Sequence, residues 1–279
     1  MPALTTDAPL ELSDQELSAV IRLVYERSGI TLHDGKRALI MARLQKRVRH
    51  GGFVSFGEYL KYVRADPSGD ELTTLLDAIA TNHTSFFREP QHFTFLSDVV
   101  LPQLAGSPIN AWSAACSTGE EPYTLAITAL EKLGAGARAS FKLIASDLST
   151  KALTTAKGAV YKSDRVESVA PALLKKYFEK GLGSQDGLVR LAPDVRALVE
   201  FRRMNLLDLP PIDRHFHFIF CRNVMIYFDA AVRQRVVSAL ERRLHPQGYL
   251  FIAHSESLNG ISHRMKWIAP AVYRRGDAP

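Results

Sequence analysis

Ile109-Asn-Ala-Trp-Ser-Ala-Ala-Cys-Ser-Thr-Gly-Glu-Glu-Pro122 decides the fold of this chain. Its first seven residues, to Ala115, are apolar enough for a buried strand. Ser117-Thr-Gly119 is a turn, and the spacing that follows predicts a helix from about Pro122 to Leu133. A short apolar strand running through a glycine turn into a helix is the opening unit of a parallel α/β sheet. The alternation continues outward. Phe141 to Asp147 is a second strand with a helix from about Thr150. Leu198 to Arg203, His217 to Arg222 and Tyr249 to His254 are further strands, and a helix from about Asp229 to Leu244 precedes the last of them. Trp267 to Arg275 predicts one edge strand. Gly-rich, hairpin-like sequence interrupts the alternation at about 181–199 and reads as a small inserted β-subdomain.

Ligands of open α/β sheets bind at the carboxyl ends of the strands, often at the turn after the first one. That turn holds a single glycine, so the G-x-G-x-x-G fingerprint and the P-loop are both absent. Glu120 and Glu121 place two carboxylates at a helix N-terminus, where they would repel a pyrophosphate. A cationic, phosphate-free ligand suits the turn better, and S-adenosylmethionine is one. Plain capping of the helix dipole is the competing account of this acidic pair. Asp147, ending the second strand, is placed to accept from both hydroxyls of a ribose. Its competing role is N-cap of the helix beginning near Thr150.

The loops after the later strands should face the same ligand. They contribute Asn205, Asp208 and Arg222-Asn-Val-Met-Ile-Tyr-Phe-Asp229. Asn223 is expected to hydrogen-bond, and Tyr227 to line the reaction cavity unless it is simply a packed aromatic. The loop lacks the prolines of an N-P-P-Y-like amino-methylating site. Neither Cys116 nor Cys221 follows a proline, as a cysteine nucleophile for pyrimidine carbon typically does. The two thiols match no zinc or redox spacing and read as reduced and cytosolic, with Cys221 a small core hydrophobe; no metal ligand set is expected.

Upstream, the first 80 or so residues carry helix signals only. Ser13 and Glu16 form a capping box before the stripe Leu17, Val20, Ile21, Val24, Tyr25, which ends near Gly29. A second helix spans about Gly35 to His50. Ser55 and Glu58 predict another box on a third, and a fourth, about Asp70 to Thr81, buries Leu72, Leu75, Leu76 and Ile79. Between this module and the sheet lies Asn82-His-Thr-Ser-Phe-Phe-Arg-Glu-Pro90, whose density of polar groups suggests a contribution to the site, with an interdomain hinge carrying two core phenylalanines as the alternative. Pro90 is suited to the first turn of a connecting helix.

The 279 residues are 46% hydrophobic and 23% charged, which excludes disordered, collagen-like and disulfide-stapled classes. No apolar run reaches the ~18–20 residues of a membrane span. Met1 to Leu12 lacks the basic start of a signal peptide and reads as a loose tail. The formal charge of +6 is uneven: residues 1–80 carry ten cations against eleven acids, leaving +7 on the rest. Six of those ten cations fall between Lys36 and Arg49, with no acid among them. Arg43, Lys46 and Arg47 on this helix are candidates for docking an acidic partner helix; a solvated face and a nucleic-acid contact are the alternatives.

Asn82 to Pro90, Trp112 to Tyr123, Ala145-Ser-Asp147, Asn205-Leu-Leu207 and Phe220 to Asp229 occur in an order and form that closely resemble the CheR-type chemotaxis receptor methyltransferases. The resemblance covers about residues 13–275. It implies a Rossmann-like class I methyltransferase sheet (α/β) with an N-terminal all-helical domain and a small antiparallel β-subdomain. The corresponding division is a tail at 1–12, helical domain 13–81, linker and connecting helix 82–105 and catalytic domain 106–279. It further implies a cytoplasmic, monomeric enzyme that moves the methyl of S-adenosylmethionine onto glutamates of chemoreceptor cytoplasmic helices, leaving S-adenosylhomocysteine. Nucleic acid and membrane insertion are not expected. Carried over residue by residue, Asn82, Thr84, Arg88, Glu120, Asp147, Asn205, Leu206, Asn223 and Val224 are cofactor contacts. Arg88 and Tyr227 lie nearest the transferred methyl. The hairpin that begins at Lys180 resembles the subdomain whose edge, in some members, adds a receptor C-terminal peptide as a strand.

Overall fold

A computed structural model describes residues 10–211 and 214–276, so most of the expected tail lies outside the described residues. The chain divides between Thr81 and Asn82 into two compact units.

The first unit holds four helices: α1 (Asp14–Ser28), α2 (Arg37–His50), α3 (Phe56–Ala65) and α4 (Asp70–Ile79). Local chemistry sets their ends. The Ser13–Glu16 capping box is closed in both directions, and α1 stops at Gly29, whose φ of 72° is a left-handed conformation open to glycine at little cost. Ser55 accepts from the N–H of Glu58, but the Glu58 carboxylate turns to the N–H of Val54, so the second box is not reciprocal. The core comes from Leu17, Val20 and Val24 of α1, Ile40, Leu44 and Val48 of α2, Tyr59 and Leu60 of α3, and Leu75, Leu76 and Ile79 of α4. The expected α1 stripe is rotated by a fraction of a turn, because Leu23 is buried while Tyr25 is exposed.

In the second unit α5 (Pro90–Phe95), a single π turn and α6 (Leu101–Leu104) lead into β1 (Ile109–Ala114). α7 (Glu120–Leu133), α8 (Ala137–Ser140), β2 (Phe141–Asp147) and α9 (Thr150–Gly158) follow. β3 (Val160–Lys162), α10 (Pro171–Tyr177), β4 (Phe178–Lys180) and β5 (Leu188–Leu191) come next, then α11 (Pro193–Arg196) and β6 (Val199–Arg203). β7 (Phe216–Cys221), α12 (Ala230–Arg243), β8 (Leu244–Phe251), β9 (Lys266–Ala269) and β10 (Val272–Arg274) complete the unit.

The main sheet has the order β6-β2-β1-β7-β8-β10-β9. Pairings from β6 to β8 are parallel, and the last two are antiparallel. Strand order reverses between β1 and β7, which opens a crevice beyond their carboxyl ends. Beneath it Ala111, Leu125, Ile127, Leu143, Phe218, Phe220 and Phe251 form one core, joined by Phe86 and Phe93. The Asn82–Pro90 segment and α5 are thus anchored in this unit rather than strung between two domains.

Three expectations change here. The helix after the first turn begins at Glu120, not Pro122, which puts both acids in its first turn. The single edge strand is a hairpin turned at Pro270-Ala271, where Ala271 takes a φ of 58°. The inserted subdomain is a three-stranded antiparallel sheet, order β3-β5-β4, that starts at Val160 instead of 181. Its strands are three or four residues long, too short for a period of two to register.

Candidate active site at the strand ends

β1 ends in a tight turn with three left-handed residues. Ala115 and Ser117 adopt left-handed φ values of 64° and 50°, and Gly119 one of 100°. A Cβ at Gly119 would lie 2.9 Å from the Ala156 side chain and 2.9 Å from the Tyr161 hydroxyl, so the single glycine is a packing requirement. Asp147 holds the turn from β2. One carboxylate oxygen accepts from Ser117 N–H at 2.8 Å, and the other from Ser149 N–H at 2.8 Å. Ser149, not Asp147, is the N-cap of α9. The Asn82–Pro90 segment closes on the same turn, with the Ser117 hydroxyl donating to the Asn82 carbonyl at 3.1 Å.

The acidic pair divides its labour. Glu120 is fully buried, accepts from the Thr118 hydroxyl at 2.6 Å and pairs with Arg165 at 2.5 Å; Arg165 also donates to the Thr84 carbonyl. Glu121 accepts from the Ser113 hydroxyl at 2.8 Å and from Arg222 at 2.9 Å. Burial pushes the Glu121 carboxyl above the usual range, against the pull of Arg222.

Arg222 is the hub that sequence reasoning missed. Its side chain is 1% exposed, bridges Glu121 and Glu89 (3.0 Å), and donates to the backbone carbonyl of Arg88 at 2.6 Å. Burial works to raise the Glu89 pKa, but Arg222 and the His254 N–H outweigh it and hold it below the ordinary value. Arg222 thereby holds the Arg88–Glu89 link, and the Thr124 hydroxyl accepts from Phe87 N–H; Phe87 and Glu89 have φ values of 53° and 58°. The half-buried Arg88 guanidinium turns back to the His83 carbonyl at 3.1 Å. Five of the eight non-glycine residues with left-handed φ among the described residues lie in the three segments at this site: Phe87, Glu89, Ala115, Ser117 and Asn223. Backbone strain gathered this way points to function.

The loop after β7 is held by another unforeseen carboxylate. Glu256 accepts from Met225 N–H and Ala253 N–H, each at 2.8 Å, and burial raises its pKa in spite of those donors. Half-buried Tyr227 sits in the short 3-10 turn Met225–Tyr227 that this clamp supports. Beyond β6, the Asn205 side chain accepts from Leu207 N–H at 3.0 Å, and Met204 N–H reaches the Asp147 carbonyl. Both cysteines are buried, and burial pushes their thiols well above the ordinary pKa, so neither is a thiolate nucleophile. Among the described residues the site combines buried carboxylates, amides and hydroxyls with guanidinium groups that are engaged by Glu120, Glu121, Glu89 and backbone carbonyls.

A family model described as "CheR methyltransferase, SAM binding domain" matches residues 82–273, and one described as "CheR methyltransferase, all-alpha domain" matches residues 15–80. The chain belongs to the CheR methyltransferase family. It is similar to the chemotaxis protein methyltransferase of Escherichia coli, 37% identical over 95% of this chain and 92% of the relative. It is 36% identical to that of Borreliella burgdorferi over 95% of this chain and 96% of the relative. Chemotaxis protein methyltransferase 2 of Pseudomonas aeruginosa is 38% identical over 93% and 92%. This CheR-family chain is therefore an enzyme that uses S-adenosylmethionine as methyl donor, and no described helix is long and apolar enough to cross a membrane.

In this CheR-family member the basic helix α2 proves to be two populations of cations. Arg43 donates to the Ile79 and Ala80 carbonyls and the Thr81 hydroxyl, satisfying the open carboxyl end of α4. Arg47 forms a two-point bond with Glu71, a buried carboxylate that also accepts from the Tyr59 hydroxyl at 2.9 Å. Lys46 and Arg49 on the helix are exposed, as is Lys36 just before it. The sequence signal for this split was present: Arg43 and Arg47 flank the Ile40, Leu44, Val48 stripe.

Proposed function

We propose that this enzyme methylates glutamate side chains on the cytoplasmic helices of chemoreceptors, forming methyl esters for chemotactic adaptation. The observation that carries it is a strand-end site of buried carboxylates and amides whose two cysteines are held as thiols, within a chain of the CheR family. Such a site suits an acceptor that arrives already nucleophilic. A glutamate side chain is ionised at neutral pH, its reference pKa being about 4.3. S-adenosylmethionine supplies an electrophilic methyl: the acceptor oxygen bonds to that carbon as the carbon–sulfur bond breaks and its electron pair stays on sulfur.

The task left to the protein is alignment and exclusion of water. Asn82, Thr84, Arg88, Glu120, Asp147, Asn205, Leu206, Asn223 and Val224 are our candidates for holding the cofactor. Arg88 and Tyr227 are candidates for the groups nearest the reacting carbon. Arg88 would orient the incoming carboxylate without a tight ion pair, which would blunt its nucleophilicity. On the helical module, exposed Lys46 with Lys36 and Arg49 is the part of the basic helix available to an acidic receptor helix, while Arg43 and Arg47 keep that helix in place. β3 and β4 are the edges of the small sheet, and either offers a strand-addition site for a receptor tail peptide.

Incubation with methyl-labelled S-adenosylmethionine and a purified chemoreceptor cytoplasmic fragment tests this. Label on the receptor that mild base releases as methanol is the expected result. Base-stable label, or transfer to nucleic acid instead, would overturn it.

A further inference from the structure

Behind the strand ends lies a group for which methyl transfer has no use. The His92 side chain, on α5, is 1% exposed, and neither ring nitrogen has a hydrogen-bond partner. A buried imidazole with neither nitrogen in good hydrogen-bond geometry is uncommon and calls for an explanation, such as a bound water or ion. Phe220 and Phe251 meet the ring edge-on at 6.3 and 5.7 Å, closing its apolar sides. The polar side faces two other residues. Nδ1 of His92 is 3.6 Å from a Glu89 carboxylate oxygen, and Nδ1 of His254 is 3.7 Å from that same oxygen. One ligand atom from each of the three residues lies within 4.8 Å of the others.

Two imidazole nitrogens and one carboxylate oxygen are a frequent zinc donor set. Bonds of about 2.0–2.2 Å to a tetrahedral ion put its ligand atoms about 3.3–3.5 Å apart, and the two observed nitrogen–oxygen separations are close to that. The His254 side chain is 37% exposed, which gives an ion an entry path and a solvent-facing fourth position. The backbone carbonyl of Pro270 lies near the His92 ring without forming a well-shaped hydrogen bond, the kind of outer partner that orients a ligating imidazole.

Charge is the obvious objection, since Arg222 already pairs with Glu89. But Arg222 also pairs with Glu121, so two carboxylates share one guanidinium. With Glu121 and the Arg88 carbonyl still to hold Arg222, Glu89 has an alternative use. Burial, and after it the charge of Arg222, pushes the His92 pKa down to about 4, so the ring is already in its neutral, ligating form at pH 7.

We propose that Glu89, His92 and His254 form a binding site for a zinc-class divalent ion, one residue from Arg88 and distinct from the cofactor site. The sequence concealed it, because an i, i+3 pair gains its third member 162 positions later.

The test is a titration of metal-stripped protein with Co²⁺, followed by visible absorption, and then competition with Zn²⁺. Neither readout depends on methyl transfer. One Co²⁺ per chain should give the intense visible bands of a low-coordinate site, and Zn²⁺ should abolish them. His254→Ala removes a partly exposed side chain with little effect on the core, and it should weaken Zn²⁺ binding at least about 100-fold, as should Glu89→Gln. His92→Asn should do the same if its thermal melt remains cooperative. Absence of the bands in wild type, or unchanged affinity in His254→Ala, overturns the proposal. So does loss of the bands in His245→Ala, which would move the ion to the separate cluster of His217 and His245, whose rings lie 4.3 Å apart.

Discussion

The helical module pairs a buried glutamate with a half-exposed arginine, and the strand ends of the catalytic unit pair a buried arginine with two glutamates. In the module, Arg47, Glu71 and the Tyr59 hydroxyl satisfy one another, and no described non-glycine residue of that unit has a left-handed φ. At the strand ends, Arg222 is stretched over Glu89, Glu121 and a backbone carbonyl, and five left-handed residues lie in the segments of the site. The first arrangement cross-links a scaffold. The second holds strained segments in fixed positions around a crevice, as a reaction that depends on alignment requires.

The strand-end site is the more sensitive of the two. Arg88→Ala should lower receptor methylation by about 10³-fold or more with an unchanged circular dichroism spectrum, measured as kcat with labelled donor. Near-normal turnover would leave the strained segment without its catalytic purpose. Arg222→Met should destabilise the catalytic unit by about 3–5 kcal/mol, since two buried carboxylates lose their cation. Denaturant melts read this directly, and a loss under about 1 kcal/mol would mean that Glu121 is protonated and Arg222 dispensable.

Asp147→Asn removes the charge from the group that holds the turn. Loss of charge-assisted hydrogen bonds, worth about 1.5–3 kcal/mol, should weaken S-adenosylhomocysteine binding roughly 10- to 150-fold by calorimetry. The smallest effect belongs to the module. The Arg47 side chain is 40% exposed, so solvent screens the pair and Arg47→Ala should cost about 1–2 kcal/mol. The pH dependence has a definite sign. The Arg47 bond, against the effect of burial, lowers the folded-state pKa of Glu71, so its stabilisation is present above the unfolded carboxylate value of about 4.3 and fades as pH falls below it. A module melt flat from pH 7 to 3 would show that Arg47 and Glu71 do not cross-link it.

What was legible in the sequence was local. The Ser13–Glu16 box, the glycine stop at Gly29, the strand–turn–helix at Ala115 to Glu121 and the alternation of strands and helices depend on contacts within a few residues. The motifs at Asn82–Pro90 and Phe220–Asp229 carried the resemblance that named the cofactor, which the family matches support. Strand pairing on the edge was not legible, because a period of two cannot tell one long strand from the Lys266–Arg274 hairpin. Arg43 and Arg47 visibly flank the α2 apolar stripe, but their partners at Ile79 and Glu71, 36 and 24 residues away, were not legible.

Short-range chemistry, through propensity and capping, set the helical unit, the alternating strands and helices of the sheet unit, and the acidic first turn of α7. Which charges are buried together follows from contacts between distant segments. Arg222 meets Glu121 across 101 positions and Arg88 across 134, and Glu89 meets His254 across 165. Burial is what gives those meetings their force, since an ion pair that solvent would screen at the surface becomes, in the interior, a fixed point from which the site is hung.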